Sequence, residues 1–97
     1  HAPQTVSMYE SPVDAVRKKK ESTIMVGFDL LKNGRADAMV SAGNSGATMA
    51  AAIRKLGRLR GVSRPGIASL FPTLKEPVML MDIGANVDCR PRHLFQF

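Results

Sequence analysis

The sequence predicts an α/β layered fold in which helices cover a parallel or mixed sheet, and three observations carry that expectation. The hydrophobic period switches along the chain between helical spacing and short continuous apolar runs. Val78-Met79-Leu80-Met81 is uninterrupted apolar sequence, the pattern of a strand buried on both faces. Finally, the elements read in the order helix, helix, strand, helix, strand, strand, helix, and strands alternating with helices indicate layers. The two adjacent strands near the end imply that the sheet is not purely parallel. A chain of 97 residues allows one domain and no second core.

The first helix is expected to start at Ser11, with Pro12 at the first helical position and Asp14 placed to bond back to the start. Arg17-Lys18-Lys19-Lys20 follows, and cations near a helix C-terminus complement its dipole. Ser22 restarts the pattern. Ile24, Gly27, Phe28 and Leu31 then fall on one helix face, and Asn33-Gly34 is a stop. Ala38-Met39-Val40 reads as a short buried strand running into a small-residue turn, Ser41 to Gly46. The long helix after it has Met49, Ile53 and Leu56 on its expected buried face, Ala50 to Ala52 for close packing, and Arg54, Lys55 and Arg58 at its C-terminal end. Gly61 to Pro65 is a turn region, Gly66 to Phe71 a strand, and Lys75-Glu76-Pro77 a connector to the Val78–Met81 strand. Pro91 begins a last helix through His93 and Leu94.

Composition narrows the function. Hydrophobic residues at 44% and charged residues at 23% are globular values that argue against disorder. No apolar run reaches the length of a membrane-spanning helix. The start at His1-Ala2-Pro3-Gln4 and the unfinished apolar pattern at Gln96-Phe97 read as an internal piece of a larger protein, inactive in isolation. A net charge of +6 points to an anionic partner, while aromatics at 5% leave few platforms for stacking bases and argue against nucleic acid. A single cysteine, Cys89, excludes a disulfide framework and fits a reducing, cytoplasmic setting. Cys89 and His93 stand four apart, but two ligands do not make a metal site, and none is expected.

Two segments carry candidate chemistry. Val40-Ser41-Ala42-Gly43-Asn44-Ser45-Gly46 is read as a strand end, a turn and a helix start, where backbone N–H groups are unpaired and the dipole is positive. Gly43 and Gly46 let an anion approach the backbone, and Ser41, Asn44 and Ser45 add neutral donors. The competing reading is a tight turn with Asn44 or Ser45 as a helix cap. Asp82-Ile83-Gly84-Ala85-Asn86-Val87-Asp88-Cys89 also follows an expected strand and gathers two carboxylates and an amide. Asp82 and Asp88 could orient cationic groups or bind a metal, or Asp88 could cap the next helix.

Taken together, the motifs resemble those of the bacterial phosphate acyltransferases of phospholipid synthesis. Arg17-Lys18-Lys19-Lys20-Glu21-Ser22 resembles the family's basic motif, and Ser41 to Ala47 its SAGN(T/S)GA signature. Arg64-Pro65 with Phe71-Pro72-Thr73 is similar to another segment, as is Asp82 to Cys89 followed by Pro91, His93-Leu94 and Gln96. Ser45 stands where Thr is usual, Arg90 where Lys is usual, and Arg92 where Glu is usual, the last a reversal of charge.

The resemblance implies transfer of a fatty acyl group from acyl carrier protein to inorganic phosphate, giving acyl phosphate. It implies a three-layer α/β/α sandwich with a mostly parallel sheet, like those of phosphotransacetylases and isopropylmalate dehydrogenases, present only in part. Residues 1–97 would be an internal fragment of a single α/β acyltransferase domain. It further implies a homodimer, cytoplasmic and peripheral to the membrane, that needs no cofactor. On this reading Ser41, Gly43, Asn44, Ser45 and Gly46 bind phosphate, and Asn44, Asp82, Asn86 and Asp88 are the candidate catalytic residues. Arg17, Lys18 and Lys19 meet the carrier protein or phosphate. A phosphotransacetylase-like enzyme and a non-catalytic phosphate- or nucleotide-binding module are the alternatives.

Overall fold

The computed structural model describes residues 1–86 and 88–97; Val87, one position of the Asp82–Cys89 segment, lies outside the described residues. The chain divides into two compact units, His1–Gly57 and Arg58–Phe97.

The first unit contains three helices, α1 (Pro12–Lys18), α2 (Thr23–Lys32) and α3 (Ser45–Lys55). Pro12 opens α1 at a position where its missing N–H costs nothing. Asp14 does not bond back to the helix start; it pairs with Lys18 one turn on, at 3.1 Å. Ser22 caps α2, its fully buried hydroxyl accepting from the Met25 N–H at 3.4 Å. An extended N-terminal stretch is pinned beside that start: Gln4 donates to the Glu21 carbonyl and its own carbonyl accepts from Thr23 at 3.2 Å.

Helix α3 packs against both α1 and α2. The core consists of Ala15 and Val16 from α1, Ile24, Met25 and Phe28 from α2, and Ala47 and Ala51 from α3. The α2 face is therefore the expected one. The α3 face is not: Met49 and Ile53 are half-buried and Leu56 is exposed, while the alanines point inward. Small side chains win here because they let helix backbones approach closely. A side-chain carbon on Gly46 would come within 2.7 Å of Pro12 Cγ, so α3 and α1 meet at that glycine.

Ala38-Met39-Val40 forms no strand. Val40 is almost fully exposed, and Met39 packs on the helical core instead, with its sulfur over Gly27. A strand needs a partner edge for its backbone groups, and the described residues of this unit offer none.

The second unit contains β1 (Ala68–Phe71), β2 (Val78–Met81) and the short α4 (Pro91–Gln96). The sheet corrects the expected fold class. It has two strands and is antiparallel, with Ala68 opposite Met81 and Phe71 opposite Val78, rather than mostly parallel within a three-layer sandwich. All four β2 residues are exposed, so the run read as buried on both faces is covered on neither. The physical reason lies in the connection. Residues 72–77 are too few for a parallel crossover, which needs a dozen or more, so the chain turns back on itself. An uninterrupted apolar run specifies a strand but not the direction of its neighbour.

Candidate functional site

The turn that enters α3 is organised by Asn44. Its side chain is buried and its hydrogen-bonding capacity is directed inward. Oδ1 accepts from the Ala47 N–H at 2.9 Å, capping the helix. Nδ2 donates to the carbonyls of Ser7, Met8 and Glu10 at 3.1, 3.2 and 2.9 Å, tying the N-terminal loop to the helix start. Thr48 bonds back to the Asn44 carbonyl through both its N–H and its hydroxyl at 3.0 Å. Of the two caps left open by the sequence, the structure uses Asn44.

That arrangement decides which donors remain. The Gly43 N–H is turned to Ser41 Oγ at 3.3 Å, and the Ala47 N–H is capped. The N–H groups of Ser45 and Gly46 have no protein partner among the described residues. Ser41, Gly43 and Ser45 are exposed, and a side chain at Gly43 would meet only Ser41 Oγ. Two free N–H groups at the positive end of an eleven-residue helix can hold an oxyanion.

The basic run divides in two. Lys19 closes α1 and works internally, its Nζ donating to the Thr5 carbonyl at 2.8 Å and to Glu10 Oε2 at 2.6 Å. That hydrogen bond holds the Glu10 carboxyl below the usual carboxylate range against the opposing effect of desolvation. Arg17 and Lys18 are exposed, and Lys18 shares its charge with Asp14.

In the second unit Asp82 and Asn86 form a closed latch. Asp82 Oδ1 accepts from the Ile67 N–H at 2.7 Å. Oδ2 accepts from the Asn86 N–H at 2.6 Å and from Asn86 Nδ2 at 3.1 Å. Asn86 Nδ2 also donates to the Pro65 carbonyl at 3.1 Å. Desolvation pushes the Asp82 pKa up, but the donors of Ile67, Asn86 and Ala85 together outweigh it and leave it below the ordinary value.

Asp88 is exposed and does not cap α4, whose N-cap position is Arg90. Cys89 Sγ lies 3.5 Å from the Asn86 carbonyl, a weak hydrogen bond, and precedes the helix rather than sharing a face with His93. His93 is buried, and its Nδ1 accepts from the Arg90 N–H at 3.1 Å. Desolvation, then the charges of Arg64, Arg92 and Arg90, hold its imidazole below the usual histidine pKa and favour the neutral form.

The residues singled out from sequence thus form two groups, with Ser41 to Gly46 in the first unit and Asp82 with Asn86 in the second. Two features escaped sequence reasoning. The carbonyl partners of Asn44 lie 34 to 37 residues away and carry no side-chain signal. A hollow lined by Ser63, Arg64, Asp88, Arg90, Arg92 and His93 was legible only as scattered arginines. No helix of the described residues is long and apolar enough to cross a membrane.

The chain is 59% identical over its whole length to a phosphate acyltransferase of Geotalea uraniireducens, covering 28% of that protein. It is 57% identical over 97 residues to the phosphate acyltransferase of Geobacter sulfurreducens and 59% to that of Desulforamulus reducens. It spans only 28 to 29% of the length of these relatives. The profile of the fatty acid synthesis protein family matches residues 1–97, and the chain belongs to that family.

Proposed function

We propose that the protein carrying this chain is a phosphate acyltransferase that moves a fatty acyl group from acyl carrier protein to inorganic phosphate, yielding acyl phosphate for phospholipid synthesis. The observation that carries the reading is the pair of free N–H groups on Ser45 and Gly46, within a segment matching phosphate acyltransferases along its full length.

A phosphate oxygen attacks the thioester carbonyl, a tetrahedral oxyanion forms, and its collapse expels the carrier's thiolate. Both the nucleophile and the intermediate are anionic, so fixed N–H donors suit the task. Ser45 and Gly46 supply backbone donors, with the Ser41 and Ser45 hydroxyls beside them. Asn44 holds this turn in shape through its four side-chain bonds and serves as a positioning residue. Asp82 and Asn86 orient the Pro65–Ile67 backbone, and the Asp88 backbone carbonyl receives Arg64. Arg17 and Lys18 meet the acidic carrier protein, while Lys19 braces the loop behind them. The whole protein works as a cytoplasmic homodimer at the membrane surface.

Ser45→Pro tests the site in the intact protein. It removes one N–H at the first helical position, where proline is tolerated, while Ser45→Ala removes only the hydroxyl. Acyl phosphate formation should fall roughly 10²- to 10³-fold for the proline variant and far less for alanine. Unchanged phosphate kinetics in Ser45→Pro would reject the site. Activity with coenzyme A thioesters but not with acyl carrier protein would favour a phosphotransacetylase.

A further inference from the structure

We propose that the hollow bounded by Arg64, Arg90 and Arg92 in the second unit is a binding site for the phosphate group of a small organic ester. The cavity is about 460 Å³, lined by Ser63, Arg64, Asp88, Arg90, Arg92 and His93. That lies within the ~300–1,000 Å³ typical of small-molecule sites, and it exceeds what a bare phosphate fills.

Charge sets the ligand's sign. The lining holds three arginines against one acidic residue, Asp88, and none of the three arginines forms an ion pair among the described residues. Guanidinium forks match phosphate oxygens in pairs. Uncompensated arginines converging on one hollow therefore favour a phosphate dianion over a carboxylate or chloride.

The walls are already organised. Gln96 Oε1 accepts from the Ser63 N–H at 3.0 Å and from the Ser63 hydroxyl at 2.7 Å, and its Nε2 donates to the Gly61 carbonyl at 3.1 Å. The Arg58 guanidinium donates to the Ser63 carbonyl. Arg64 Nη1 donates to the Asp88 carbonyl at 3.2 Å, joining the two sides of the hollow. The His93 imidazole anchors the Arg90 backbone. The backbone of the lining is thus held before a ligand arrives, which leaves the exposed Arg90 and Arg92 side chains to be ordered by it.

Arg92 provides the test. Phenyl phosphate and inorganic phosphate are titrated calorimetrically into the intact protein at low and high salt. The site requires phenyl phosphate binding that weakens roughly tenfold or more in Arg92→Glu, much less in Arg92→Lys, and markedly with salt. It requires Ser45→Pro to leave this binding intact, which separates failure here from failure of the acyl-transfer site. Phenyl phosphate is expected to bind more tightly than inorganic phosphate, and equal affinities overturn the organic ester as the ligand. Affinities for both that are indifferent to Arg92→Glu, or lost with Ser45→Pro, overturn the proposal.

Discussion

The two halves of this chain are held together by different forces. His1–Gly57 buries seven apolar side chains from three helices in one cluster. In Arg58–Phe97, His93 is the only described residue that is buried, and Leu70, Val78, Met79, Leu80 and Leu94 are all exposed. What orders the second half is polar: the Asp82–Asn86 latch and the Gln96 clamp. Apolar burial adds roughly 25 cal/mol per Å² and involves no titratable group, whereas a typical hydrogen bond nets only about 1 kcal/mol in water. The first half can therefore resist perturbation through its own packing. The second presents apolar strands that gain stability only when something covers them.

The sharpest way to break the contrast is to delete a core side chain. Phe28→Ala should cost about 3–5 kcal/mol, while Leu80→Ala in the exposed strand should cost less than about 1 kcal/mol. Urea unfolding with hydrogen exchange at α2 and β2 amides would compare them, and equal losses would erase the distinction. Asn44→Ala comes next. It removes the α3 cap and uncovers three carbonyls, so a loss of about 2–3 kcal/mol is expected, with exchange accelerating in both α3 and residues 7–10. Acceleration confined to α3 would show that the loop does not depend on it.

Gly46→Val probes how tightly the helices meet. The added carbon would fall 2.7 Å from Pro12 Cγ, and a destabilisation of about 1–3 kcal/mol follows from overpacking. Gly43→Ala, whose added carbon would only touch Ser41 Oγ at an ordinary 3.5 Å, should change stability by less than about 0.5 kcal/mol.

Acidification should act on the second half through two groups. Both Asp82 and His93 have folded pKa values below their ordinary ones of 3.8 and 6.5. Their contributions are present above those ordinary values and are lost as pH falls through the depressed ones. Exchange at the Ile67 and Asn86 amides should rise below pH 3.8, and the His93 imidazole should titrate below 6.5 by NMR. A His93 midpoint above 6.5 would contradict its burial among arginines.

Helix starts were legible because their signals are local. Pro12, Ser22 and Asn44 each act within one turn of chain, and the apolar spacing of Ile24, Phe28 and Leu31 marks its own inward face. Strand pairing was not legible, because backbone hydrogen bonds do not depend on which side chains the partner carries. Ala38–Val40 looked like a strand by composition and stayed irregular for want of an edge. The inward face of α3 was misjudged because hydrophobicity ranks Met49, Ile53 and Leu56 above alanine, whereas close helix contact at Gly46 favours the smaller residue.

The sequence by itself determined the helix starts, the excess of positive charge, the family and the glycine-rich turn, since each rests on residue identity or on neighbours a few positions apart. Tertiary structure decided the rest. It set Asn44 to bracing the loop of residues 7–10, left Ser45 and Gly46 as the free donors, made the sheet antiparallel, and drew Arg64, Arg90 and Arg92 around one hollow. Those outcomes depend on which distant backbone groups and charges share a volume, and that is settled only when the chain packs.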